Sequence, residues 1–141
     1  MIKKFHVGVK GVIVKDKKAL VLTEKDILGG KALIYDLPGG RIGNGESIEK
    51  ALKRELKEEL GIEYFSLGKL INASIHPHYD KNGIGLMLLF YEVKVRKLKL
   101  KLSREHKNYL WISQGELNEI IKNKGKLHKG IAQALKAIFR S

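Results

Sequence analysis

The sequence predicts an α/β fold in which a mixed sheet is covered by helices on two faces. Three observations carry that expectation. Short runs rich in Val, Ile and Leu are bounded by polar or Gly-containing turns, as strands are. Residues 47–60 and 129–140 repeat apolar side chains at spacings of three and four, as amphipathic helices do. These two kinds of segment interleave along the 141-residue chain, with no repeat, low-complexity tract or linker, which predicts one domain over 1–141.

In chain order, residues 5–14 and 19–24 read as strands around the polar turn Lys15-Asp16-Lys17-Lys18. A loop with Gly29-Gly30 and a short strand at 32–35 follow. Pro38-Gly39-Gly40 and Gly43-Asn44-Gly45 are loop signals. In 47–60, Ile48, Ala51, Leu52, Leu56 and Leu60 share one face; Ser47 is the expected N-cap and Gly61 the left-handed residue that ends the helix. Segments 64–76 and 84–97 read as a hairpin joined by Asp80-Lys81-Asn82-Gly83, where Asn-Gly favours a tight turn. A strand at 109–112 precedes a helix over 116–122. The last helix, 129–140, carries Ile131, Ala134, Leu135 and Ile138 on its apolar face.

The absence of cysteine excludes disulfides and thiolate metal sites and fits a reducing interior. The start Met1-Ile2-Lys3-Lys4-Phe5-His6 lacks the apolar run of a secretory signal, and the longest uncharged run, 82–91, is too short to span a bilayer. A soluble, cytoplasmic protein with no membrane partner is the expectation. The formal charge is +13. Lys94, Arg96, Lys97, Lys99, Lys101, Arg104 and Lys107 are opposed in sequence only by Glu105. Val93 and Val95, then Leu98, Leu100 and Leu102, alternate with these cations, which predicts a strand with one wet face and a bulge or bend near Arg96-Lys97. Such a strand is either an edge protected from aggregation by lysines or a surface that steers polyphosphates or contacts nucleic acid.

The chemistry concentrates on 40–62. Glu55, Glu58 and Glu59 stand at i, i+3 and i+4, so their carboxylates share a patch that costs an isolated helix roughly 0.2–0.5 kcal/mol per like-charged pair. A hard divalent cation with oxygen ligands, Mg²⁺ above all, would compensate. Glu46 can approach the same site, and the fork of Arg54 suits holding a carboxylate in place. A merely solvated, Glu-rich helix with Lys50, Lys53 and Lys57 as partners is the competing account. The register decides against it. Gly40, Glu46, Arg54, Glu55, Glu58, Glu59 and Gly61, with aliphatic Leu56 and Ile62, arise by chance with odds on the order of 10⁻⁹ per starting position.

These residues resemble the Nudix box, GX5EX7REUXEEXGU with U a bulky aliphatic, at every defined position. Tyr35-Asp36-Leu37-Pro38-Gly39-Gly40 is similar to the run that commonly leads into the box, and Trp111-Ile112-Ser113 with Glu116-Leu117 to a segment near the end of such domains. The resemblance implies an α/β/α sandwich with a catalytic loop-helix-loop. It implies hydrolysis of a nucleoside diphosphate linked to another group, by water attack at phosphorus with Mg²⁺ or Mn²⁺. Glu58 and Glu59 would be the principal metal ligands, with the Gly39 carbonyl a further one. Glu55 would be a ligand or the base, Arg54 would orient the carboxylates, and Glu46 would support the site or bind a second ion. Some Nudix enzymes take the base from a loop outside the box, where Glu105 is the candidate here.

The substrate markers conflict. Pro77, fifteen residues after Ile62, is similar to the spacing in ADP-ribose pyrophosphatases; Tyr79, seventeen after it, to dinucleoside polyphosphate hydrolases. His76 and His78 suit phosphate or base contacts, Arg41 a phosphate contact, and Tyr35, Tyr79, Phe90 and Trp111 are aromatic candidates for stacking a base. The leading expectation is a pyrophosphohydrolase of a small nucleotide, either a nucleoside triphosphate (oxidised ones included) or ADP-ribose. A non-catalytic nucleotide-sensing module predicts degraded box carboxylates, and these are intact. An RNA-binding or decapping protein using the basic strand 94–107 predicts steeply salt-dependent RNA binding. Many Nudix proteins are dimers, so a homodimer stays open.

Overall fold

Two mixed sheets, rather than one, lie between the helices in the computed structural model, which describes residues 3–25, 33–77, 80–101 and 107–141. In chain order the elements are β1 (Phe5–Val12), β2 (Val14–Lys15), β3 (Lys18–Lys25), β4 (Leu33–Asp36), β5 (Gly39–Arg41), α1 (Ile48–Leu60), β6 (Ser66–Ile75), β7 (Gly85–Lys94), β8 (Lys107–Ile112), α2 (Gln114–Lys122), β9 (Lys126–Leu127) and α3 (Lys129–Arg140). The first sheet has the order β5-β1-β7-β6, with β1 and β7 parallel and the other pairs antiparallel. In the second, β3 is paired antiparallel with β2, β4 and β8, and β9 runs parallel to β4.

Alternation along the strands divides the core in two. Val9, Leu20, Leu22 and Val93 pack with Ala51, Leu52, Leu56 and Leu60 of α1. Val12, Ala19, Val21, Leu88 and Phe90 pack with Leu117 of α2 and Ile131, Ala134 and Leu135 of α3. The result is the expected α/β/α sandwich, with β3 feeding both layers from alternate residues. Leu56 is fully buried, and truncating such a leucine to alanine costs about 2–5 kcal/mol.

Several local expectations are corrected. The strand expected to run to 97 ends at Lys94, and 95–101 form no strand. Val95, Leu98 and Leu100 instead pack against the α1 cluster, and the Lys101 N–H donates to the Leu60 carbonyl at 2.8 Å. The helix end offers both an acceptor and apolar surface, so alternating leucines find burial there without a ladder. Lys107 belongs to β8, whereas Arg104 and Glu105 lie outside the described residues.

Gly39 and Gly40, read with Pro38 as loop, belong with Arg41 to a strand because β1 supplies antiparallel partners. The tight turn expected between β6 and β7 does form, over Asp80-Lys81-Asn82-Gly83. Asp80 organises the connection: its carboxylate accepts from the Asn82 and Ile84 N–H groups, its carbonyl from Gly83 at 3.0 Å, and Gly83 takes φ 75°. Helix α2 starts two residues before the expected 116, because Ser113 and Glu116 form a reciprocal capping box. The expected Gly29-Gly30 loop lies outside the described residues.

Candidate active site

The site is built where β5 meets α1. Ser47 caps α1 by accepting from the Lys50 N–H at 3.2 Å, and Gly61, at φ 70°, closes it by donating to the Leu56 and Lys57 carbonyls. The apolar face of α1 is buried, which aims Glu55 and Glu59 at β5. The Gly39 N–H donates to Glu59 Oε1 at 2.8 Å. Gly39 has φ 142°, and a Cβ there would overlap the Val9 carbonyl; a Cβ on Gly40 would overlap the Glu55 carboxylate. Glycine at both positions lets the helix carboxylates approach the strand backbone.

Arg54 is the hub. Its Nε donates to Glu46 Oε2 and its Nη2 to Glu46 Oε1, each at 2.9 Å. Nη1 donates to Glu55 Oε1 at 2.7 Å and lies 3.9 Å from Glu58 Oε2, while Nη2 also donates to the Arg41 carbonyl at 3.0 Å. Bidentate pairing of this kind fixes orientation as well as charge. The Arg54 guanidinium, and then the Gly43 N–H that also donates to Glu46, hold the Glu46 carboxyl down at about 2. The same carboxylates push the Arg54 pKa up, so its charge is permanent.

Glu46, Arg54, Glu55, Glu58, Glu59, Gly39 and Arg41 are therefore brought together, although Arg41 is tied in through its backbone. The donor set is entirely oxygen, and Glu58 is 62% exposed, which suits a hard divalent cation keeping part of its water shell. Among the described residues no three acidic or imidazole groups already converge into a metal cage. Tyr79, His78 and Glu105 lie outside the described residues. Phe90 is fully buried beneath α3, and Trp111 packs against the α1 cluster.

An adjoining cavity of about 580 Å³ is lined by Tyr35 and His76, both named from the sequence, and by Lys10, Asp36, Leu88 and His128, which the sequence reading does not single out. Lys10 stands opposite Gly39 in the β1–β5 register, and its Nζ donates to Asp36 Oδ2 and to the Leu37 carbonyl, both at 3.2 Å. The rings of His76 and His128 stack with centroids 4.7 Å apart and planes within 5°. A lone lysine inside the apolar run 7–14 was the available signal for Lys10. Nothing local marks His128, which meets His76 only through the fold.

The NUDIX domain model matches residues 4–137. Nucleoside triphosphatase NudI of Escherichia coli is 28% identical over 90 residues, covering 59% of this chain and 64% of that protein. The chain thus spans under two thirds of the length of the curated relatives it matches. The solution structure of the E. coli ORF135 protein superposes with TM-score 0.76 at 25% identity, over 98% of this chain and 91% of that one. A MutT protein from Methanosarcina mazei Go1 superposes with TM-score 0.73 at 23% identity, over 99% and 96%, and shows the same fold.

Proposed function

The chain belongs to the NUDIX domain family, and we propose that it is a pyrophosphohydrolase cleaving a phosphoanhydride of a small nucleotide by water attack at phosphorus. The observation that carries this reading is the Arg54 hub, which orients Glu46 and Glu55 beside the Gly39-Gly40 strand while Glu58 stays exposed. Glu58, Glu59, Glu55 and the Gly39 carbonyl would hold Mg²⁺ or Mn²⁺. The ion, when bound, lowers the pKa of water and neutralises charge developing on phosphate oxygens.

The remaining roles fall to the chain's own groups. Arg54 holds Glu55 in one orientation, and Glu46 holds Arg54. Glu55 or Glu105 accepts the proton of the attacking water. Arg41 contacts a phosphate from the edge of β5, and Tyr79 contacts the nucleotide. The cavity beside Lys10 receives the nucleoside, with Tyr35 and the His76–His128 pair as its walls. We assign a nucleoside triphosphate as the substrate ahead of ADP-ribose, and the E. coli relative named as a nucleoside triphosphatase supports that order. The compartment we propose is the cytoplasm. A cysteine-free sequence, at home in a reducing interior, supports it.

The test is hydrolysis with Mg²⁺ and then Mn²⁺ across normal and oxidised nucleoside triphosphates, ADP-ribose, diadenosine polyphosphates, nucleotide sugars and capped RNA, with products identified by mass. Preferential release of pyrophosphate or phosphate from a triphosphate is expected. Preference for ADP-ribose would overturn the substrate assignment, and no turnover of any compound would overturn the enzyme assignment. Comparing Glu55→Gln with Glu105→Gln locates the base, which shows the larger loss in kcat.

A further inference from the structure

The basic run that fails to form a strand builds a second cavity. It measures about 600 Å³ and, among the described residues, shares no lining residue with the site around Gly39 or with the cavity beside Lys10. One wall is the irregular segment that follows α1, where Tyr64 is 84% exposed and Phe65 is half-buried. The other wall carries Lys94, Arg96, Lys97 and Lys99, all exposed. Packing of the half-buried Val95, Leu98 and Leu100 against the α1 cluster leaves Lys97 and Lys99 at the surface.

Glu63 is the one acid among the described lining residues, and its carboxylate lies 4.0 Å from Lys57 Nζ. The nearby C-terminal end of α1 would repel anions through its carbonyls. Here those of Leu56 and Lys57 accept from Gly61, and that of Leu60 accepts from Lys101. Of the last four carbonyls of the helix, those of Lys57 and Leu60 thus already face donors.

A groove with four cations on one wall and an open aromatic ring on the other matches a flexible polyanion whose bases are unpaired. The cations can follow a phosphate backbone, and Tyr64 offers a face on which a base can stack. A duplex could satisfy the cations but has no free base for the ring. We propose that this groove binds single-stranded nucleic acid, with backbone phosphates on Lys94, Arg96, Lys97 and Lys99 and a base stacked on Tyr64. The assignment is independent of what the Gly39 site hydrolyses.

Fluorescence anisotropy of the full chain with dye-labelled oligo(U) and oligo(dT) of about 12 nucleotides tests it, across a salt series. Both probes should bind, with RNA tighter only if the sugar hydroxyl is also read. Tyr64→Ala should weaken binding about tenfold. The pair Lys97→Glu and Lys99→Glu should weaken it further and lower the salt slope by about 1.4, from roughly 0.7 for each phosphate no longer neutralised. A charge-matched control, Lys122→Glu with Lys136→Glu on the exposed sides of α2 and α3, should weaken it far less. Thermal melting of each variant checks that the fold is retained.

Absence of binding would overturn the proposal, as would equal weakening by the control pair, which would reduce the effect to net charge. Indifference to Tyr64→Ala, or equal affinity for a duplex of the same length, would remove the stacked base. Full displacement by a mononucleoside triphosphate would show that the probe occupies a nucleotide site instead.

Discussion

Arg54 grips Glu46 with two nitrogens at 2.9 Å each, and it turns a third hydrogen bond, at 2.7 Å, onto the neighbouring Glu55. The loop before α1 and the helix itself are thereby joined through one guanidinium. Glu46 therefore acts on the site through Arg54, and Arg54 acts on the proposed chemistry through Glu55.

Arg54→Lys keeps a positive charge but loses the planar fork, so it cannot bond Glu46 twice and Glu55 at once. Turnover should fall about 10- to 100-fold, the range for removing a partner that orients a ligand. Circular dichroism should be unchanged. A variant within twofold of wild type would show that orientation by Arg54 is dispensable.

Acid should weaken the fold through Glu46. Its folded pKa, about 2, lies below the ordinary 4.5, so its stabilisation is present above about pH 4.5 and is lost as pH falls toward 2. Melting temperature measured from pH 6 to pH 2 should fall across that window, and more steeply in wild type than in Glu46→Gln. Parallel curves would show that other carboxylates set the acid limit.

Gly39→Ala and Gly40→Ala should fail differently. At Gly39 the backbone conformation and the Val9 carbonyl both oppose a Cβ, so stability should fall by more than about 2 kcal/mol in urea titration. At Gly40 the obstacle is the end of the Glu55 side chain, which can swing away. That variant should remain folded and lose turnover through displacement of Glu55.

Glu58→Gln and Glu59→Gln should each remove metal-dependent turnover by more than about 100-fold, judged against the smaller losses of orienting residues. Glu58 is largely exposed, so its variant should stay within about 0.5 kcal/mol of wild type, or gain slightly as carboxylate repulsion is relieved. Glu59 also accepts from the Gly39 N–H, and its variant keeps an oxygen that can do the same. Near-wild-type rates in both would sink the metal-site assignment.

What the sequence determined by itself is the part written in short-range pattern. Helix α1 follows from its apolar spacing, Ser47 and Gly61, and the clustering of Glu55, Glu58 and Glu59 follows from helical geometry alone. The tertiary structure decided what depends on distant partners. Whether 39–41 is loop or strand depends on β1, about thirty residues upstream, and the path of 95–101 on an acceptor at Leu60. Lys10 reaches Asp36 across 26 positions, and His128 meets His76 across a wider gap still. Backbone groups and apolar side chains must be satisfied somewhere, but local periodicity does not say by which partner. Lysines alternating with leucines suit an edge strand and a segment packed against a helix end equally well, and only the completed core distinguishes the two.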